Sequence, residues 1–181
     1  MTMGKTSKVV VCGTKKCGKT SILEQAINGK LGVSIPSTSQ FGLPELYNSI
    51  AILLSYTVHL HLFQPFYATQ EDIYEANIDT DRGTKENIRF YDTQGIDVSS
   101  PSIKDDLPKH LFALADAYII VYSIDDESSF QVAEAIRKEI DKQTRERKET
   151  IVILLGNKCD LSAKRKVDSV QALNWASRER L

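Results

Sequence analysis

The chain has 181 residues, 41% of them apolar, which suits one domain with a real core. Its net charge of −1 gives no electrostatic reason to expect nucleic acid or an anionic membrane as a partner. Three cysteines, Cys12, Cys17 and Cys159, are too few and too scattered for a disulfide scaffold or a zinc site, and they suit a reducing, cytoplasmic location.

The N-terminus begins Met-Thr-Met-Gly without the apolar stretch of a signal peptide. Lys8–Cys12 reads as a short buried strand, followed by a Gly-rich turn. Thr20–Asn28 has helical spacing at Ile22, Leu23, Ala26 and Ile27, with Gly29 as a stop signal. The densest apolar region, Ile50–Phe66, is broken by Ser55, His59, His61 and Gln64, and falls short of the roughly 18 apolar residues of a membrane span. Ile73–Asp79 and Asn87–Tyr91 read as strands joined by an Asp81-Arg82-Gly83 turn. Leu107–Ala115 is predicted helical and Tyr118–Tyr122 a continuous apolar strand. Ser128–Lys142 reads as a helix with Phe130, Ala133, Ile136 and Ile140 along one face. Thr150–Leu155 is another apolar strand, and Val167–Arg178 a final helix. Strand and helix alternate in the later half, which predicts a parallel sheet covered on both faces. The terminal Arg-Glu-Arg-Leu carries no prenylation box, so no membrane anchor is expected.

The strongest chemical signal is Gly13-Thr-Lys-Lys-Cys-Gly18-Lys19-Thr20, which matches G-x-x-x-x-G-K-[ST] in full, between a strand and a helix. Such a loop turns backbone N–H groups inward around phosphate oxygens, and the helix N-terminus adds its positive dipole. Gly13, Thr14, Lys15, Lys16, Cys17, Gly18, Lys19, Thr20 and Ser21 are therefore candidate nucleotide ligands. Lys19 reaches the β- and γ-phosphates and the Thr20 hydroxyl ligates Mg²⁺.

Asn157-Lys158-Cys159-Asp160-Leu161 follows an apolar strand and chooses the base. The Asp160 carboxylate can accept from guanine N1–H and the exocyclic amine, whereas adenine would leave a buried carboxylate unpaired. Asn157, Lys158, Asp160 and Leu161 are thus expected to hold guanine. Between these motifs stands Asp92-Thr93-Gln94-Gly95. Asp92 can hold Mg²⁺ through water, and Gly95 can offer its N–H to the γ-phosphate. The cofactors expected are GTP or GDP with Mg²⁺.

Together these residues resemble the Ras-like small GTPases, which implies a P-loop α/β domain of three layers with a mostly parallel central sheet. The resemblance also makes Thr69, Gln70, Glu71, Asp72, Ile73 and Tyr74 the first switch or effector segment, with Thr69 on Mg²⁺ in the GTP state. A polar loop entering a strand is the plainer reading of that segment. Further along, Thr80–Gly83, Tyr91–Gly95, Leu107-Pro-Lys-His110, Glu127–Gln131 and Lys138–Lys142 are similar to the κB-Ras family, the NF-kappa-B inhibitor-interacting Ras-like proteins. That resemblance implies binding to inhibitor of NF-kappa-B proteins, damping of NF-kappa-B signalling and a role near Ral GTPase-activating complexes.

Two positions depart from ordinary Ras. Lys15 and Lys16 stand where small glycines are usual, and Lys15 should crowd the entry of an arginine finger, a device worth about 10³–10⁵ in rate. The two lysines either strengthen phosphate binding or are simply solvated. Ile96 replaces the Gln that orients the attacking water, so no catalytic residue is assigned. A weak GTPase that stays GTP-loaded is expected. The alternatives are a conventional switch driven by a GTPase-activating protein, an ATP-using P-loop enzyme opposed by Asn157–Asp160, and a scaffold without nucleotide.

Two lengths are anomalous. Thr20 and Thr69 are 49 residues apart, where roughly twenty are usual. Removing residues 33–64, rich in Leu, Ile and Tyr, restores a fitting spacing. Val33-Ser34 can be encoded by a splice-donor sequence and Leu62-Phe63-Gln64 by one ending in a splice acceptor, so the segment is either a retained intron or a real inserted lid. The chain also stops 21 residues after Asp160. Residues 1–181 are thus expected to form a single G domain with an atypical insertion, lacking the family's last strand and helix. An apolar face on Tyr118–Tyr122 would then lie exposed, and nucleotide affinity would be reduced.

Overall fold

The computed structural model describes residues 6–28, 71–79, 85–99, 103–147 and 150–181. Within these, strand β1 (Ser7–Gly13) leads into helix α1 (Lys19–Asn28), and the antiparallel pair β2 (Glu71–Asp79) and β3 (Lys85–Thr93) follows. Two short helices, α2 (Ile103–Asp106) and α3 (Lys109–Leu114), precede β4 (Ala117–Ser123) and α4 (Glu127–Gln143). The chain closes with β5 (Ile151–Asn157), a 3₁₀ turn over Cys159–Lys164, and α5 (Ser169–Arg178). The inserted segment, Thr69, Gln70 and the Asp81–Gly83 turn lie outside the described residues.

The five strands form one sheet in the order β2-β3-β1-β4-β5. β1 pairs in parallel with β3 and β4, β4 with β5, and β2 is the antiparallel edge, with Ile73 opposite Tyr91 and Asp72 opposite Asp92. This is the mostly parallel α/β sheet that the alternating pattern predicts. Successive side chains of β1 and β4 face opposite ways. Val9, Val11, Ile119 and Val121 join Ile22, Leu23 and Ala26 of α1 in one core. Val10, Cys12, Tyr118, Ile120 and Tyr122 join Phe130, Ala133, Ile136 and Ile140 of α4 and Trp175 of α5 in the other. Phe130 meets the rings of Tyr122 and Trp175 edge-on at 5.1 and 5.4 Å.

Three expectations need correction. The helix expected over Leu107–Ala115 is shorter, Lys109–Leu114, because Pro108, extended at ψ 140°, caps it and leaves Leu107 outside. The face on Tyr118–Tyr122 is not exposed: every residue of β4 is buried, since this interior strand is enclosed by both cores. Partial exposure falls instead on the last strand, at Ile151, Ile153 and Leu155. The strands also run further than their apolar stretches. Asp92 and Asn157, expected just beyond strand ends, are the penultimate residue of β3 and the last of β5.

Candidate nucleotide site

All the motif residues described gather at the carboxyl ends of the parallel strands. The sheet order reverses on either side of β1, which is where open α/β sheets bind ligands. The loop after β1 curls over the start of α1, with Lys16 in the left-handed region at φ 62° and Gly18 at φ 96°. Gly18 is required twice over. Its φ suits glycine, and a β-carbon there would lie 2.1 Å from Asn157 Nδ2. Asn157 is held at that spot because its Nδ2 donates to the Cys17 carbonyl at 2.9 Å. The last residue of β5 thus braces the phosphate loop.

Lys19 is 6% exposed, and its Nζ donates to the Thr14 carbonyl at 3.1 Å, so the ammonium lies over the loop it is expected to serve. The Thr20 hydroxyl donates to Asp92 Oδ2 at 2.5 Å. Asp92 is fully buried, and its other oxygen, Oδ1, finds no hydrogen-bond partner among the described residues. Burial pushes the Asp92 carboxyl above its ordinary range, opposed by the Thr20 bond and the Lys19 charge. A buried carboxylate oxygen without a donor, beside a hydroxyl, fits a hydrated magnesium ion. Thr20 would ligate such an ion directly and Asp92 through water, supplying charge neutralisation to phosphate oxygens. Thr69, the third expected ligand, lies outside the described residues. Among the described residues no cluster of three or more His, Cys, Asp or Glu is placed to hold a metal.

At the end expected to read the base, Lys158 takes the left-handed conformation at φ 64°, and its Nζ lies 3.6 Å from Asp125 Oδ1. Asp125 also accepts from the Ser123 hydroxyl, and its carboxyl is held below the ordinary range by that bond, with Lys158 adding to the effect. Asp160 and Cys159 are exposed on the 3₁₀ turn and Leu161 is half-buried. Asp160 is therefore not a buried carboxylate in itself, because the turn holds it at the rim of the site. Of the effector segment, Glu71, Asp72, Ile73 and Tyr74 are β2 residues rather than loop, since the ladder to β3 runs to Glu71 opposite Thr93.

The segment after β3 departs most from expectation. Ile96 N–H donates to the Gly13 carbonyl at 2.9 Å and Lys15 N–H to the Ile96 carbonyl at 3.1 Å, forming a bridge onto the phosphate loop. The Ile96 side chain is 1% exposed and packs in the core with Leu107 and Leu111. Lys15 is not a free solvated lysine. Both lysines are exposed, but the Lys15 Nζ pairs with Asp97 Oδ2 at 2.9 Å. Sequence reasoning passed over both Asp97 and Asp125. Each stands next to a motif or strand end, and its partner is far away in sequence. The buried thiols of Cys12 and Cys17 are held protonated: burial pushes Cys12 up to about 12 and raises Cys17 as well.

The Ras family model matches residues 49–181. NF-kappa-B inhibitor-interacting Ras-like protein 2 of Mus musculus is 41% identical over 179 residues, covering 99% of this chain and 75% of the relative. The protein of the same name in Homo sapiens is 40% identical over the same shares. NF-kappa-B inhibitor-interacting Ras-like protein 1 of Danio rerio is also 40% identical, again over 99% of this chain and 75% of the relative. No helix among the described residues is long and apolar enough to cross a membrane.

Proposed function

This chain belongs to the Ras family, and within it to the NF-kappa-B inhibitor-interacting Ras-like proteins, and we propose that it is a guanine-nucleotide-binding regulator that stays GTP-loaded because its own hydrolysis is slow. The observation that carries the slow hydrolysis is the burial of Ile96. Hydrolysis in Ras-like proteins needs a side chain at this position to orient the attacking water. Here the residue has no hydrogen-bonding group, and its side chain is committed to the core.

Binding is a separate matter from hydrolysis. Lys19 and the loop N–H groups would take the phosphates, Thr20 and Asp92 the magnesium, and Asn157, Lys158, Asp160 and Leu161 the guanine. Lys15 would obstruct an arginine finger from a GTPase-activating protein. In this reading the protein acts in the cytoplasm by holding a partner, an inhibitor of NF-kappa-B protein, through an effector face that includes Glu71, Asp72, Ile73 and Tyr74. Such binding would damp NF-kappa-B signalling, with Ral GTPase-activating complexes as a further partner.

The test is the nucleotide released when the purified protein is denatured. GTP in the released pool is expected. Mostly GDP would refute slow hydrolysis, and ATP would refute guanine selectivity. A pull-down with an inhibitor of NF-kappa-B protein as bait tests the partner, and no retention above background would remove it.

A further inference from the structure

Three contacts tie the segment after β3, Gly95–Asp97, to the phosphate loop. The first is the backbone bridge between Ile96 and the Gly13–Lys15 stretch. The second is the close packing of Gly95, where a β-carbon would lie 2.5 Å from Lys15 Cα and 2.6 Å from Lys15 N. The third is the ion pair of Lys15 Nζ with Asp97 Oδ2 at 2.9 Å. The first two use backbone that any sequence with glycine at position 95 could offer. The third depends on side chains, a cation on the loop and a carboxylate one residue beyond Ile96.

The two sides of the pair differ in how firmly they are held. Asp97 is fixed, because its Oδ1 accepts from both the N–H and the hydroxyl of Ser99. Lys15 has a flexible stem on an exposed crest, and its side chain is 47% exposed. An exposed pair of this kind is weak and easily exchanged. The loop that carries Lys15 is the one that binds phosphates, and the third phosphate of GTP is a denser anion than a carboxylate.

We propose that Asp97 is a positioning residue that holds the Lys15 ammonium on the segment after β3, in competition with the γ-phosphate of bound GTP. This rests on the reading of the site as a guanine-nucleotide site. In the diphosphate state the clasp is closed. In the triphosphate state the ammonium is shared between Asp97 and the phosphate, so Asp97 weakens the preference for GTP over GDP.

The test is the ratio of dissociation constants for a non-hydrolysable GTP analogue and GDP, measured on the full chain in magnesium by displacement of a fluorescent nucleotide. Asp97→Asn is expected to shift that ratio toward the triphosphate by about two- to fivefold, the range of an exposed pair. The double variant Lys15→Met with Asp97→Asn is expected to lose the gain. A merely structural role for Asp97 would change both affinities together and leave the ratio where it was, which overturns the proposal. A gain that persists without Lys15 overturns it too. If the parent chain binds neither guanine nucleotide, the guanine-site reading fails first and takes this inference with it.

Discussion

Replacing Ile96 by glutamine restores the residue type that orients attacking water in Ras-like proteins. The position of Ile96 predicts that the swap costs stability without restoring the rate. Its side chain is 1% exposed among Leu107, Leu111 and Val10. Losing a fully buried isoleucine forfeits about 1.5–3 kcal/mol of burial. An amide sealed into that core without partners adds about 1–3 kcal/mol. The glutamine stem recovers part of the first loss, so Ile96→Gln should destabilise by about 3 kcal/mol, which lowers the thermal midpoint of a chain this long by about 6–12 °C. Urea unfolding gives the first quantity and single-turnover release of phosphate from GTP gives the second. Hydrolysis is expected to stay within about threefold of the parent, because the bridge from Ile96 to Gly13 and Lys15 fixes the backbone with this side chain turned inward. A tenfold or greater rise in rate with unchanged stability would refute that reasoning.

Other perturbations read the binding side of the site. The folded Asp92 carboxyl is raised by burial above its ordinary 3.8, so its contribution favours the fold at low pH and is lost as the pH climbs from about 4 through the raised value. Asp92→Asn should flatten that limb of the stability profile, measured by denaturation across pH, in chain stripped of magnesium and nucleotide. The same variant should weaken magnesium-dependent nucleotide retention about ten- to hundredfold, read by dialysis with and without a chelator. Gly18→Ala meets both a left-handed φ of 96° and the Asn157 side chain, so strain of about 1–3 kcal/mol should lower nucleotide affinity tenfold or more by calorimetry. Asn157→Ala removes the brace on the Cys17 carbonyl, worth about 0.5–1.5 kcal/mol, and should speed GDP release about three- to tenfold in a stopped-flow chase.

The sheet is legible in the sequence because its strands are apolar runs bounded by turn residues, and α4 because Phe130, Ala133, Ile136 and Ile140 recur at helical spacing and are all buried. Their ends are not, since ladder hydrogen bonds continue through polar residues such as Asp92 and Asn157, whose side chains give no strand signal. The start of α3 after Pro108 was written in the residue itself, yet the apolar spacing of Leu107, Leu111 and Leu114 ran across it. The phosphate loop was legible because its chemistry is local. The Lys15–Asp97 pair was not, because its partners lie 82 positions apart and meet only through the register that sets β1 beside β3.

That register also explains how binding and hydrolysis can part company in one fold. Asn157 is the last residue of β5, Asp92 lies within β3, and Lys19 and Thr20 open a helix packed on the sheet. Each is fixed by backbone pairing or burial that owes nothing to Lys15 or Ile96. Hydrolysis in a Ras-like protein depends on a side chain projecting from one position after Gly95 and on room for an outside cation beside the third loop residue. In this chain the first side chain is anchored in the core and the second place is taken by Lys15. On the proposed reading, substitution at two positions slows hydrolysis while every group that would bind the nucleotide keeps its support. The expected product is a protein whose state is set by nucleotide exchange and partner binding rather than by a hydrolytic clock.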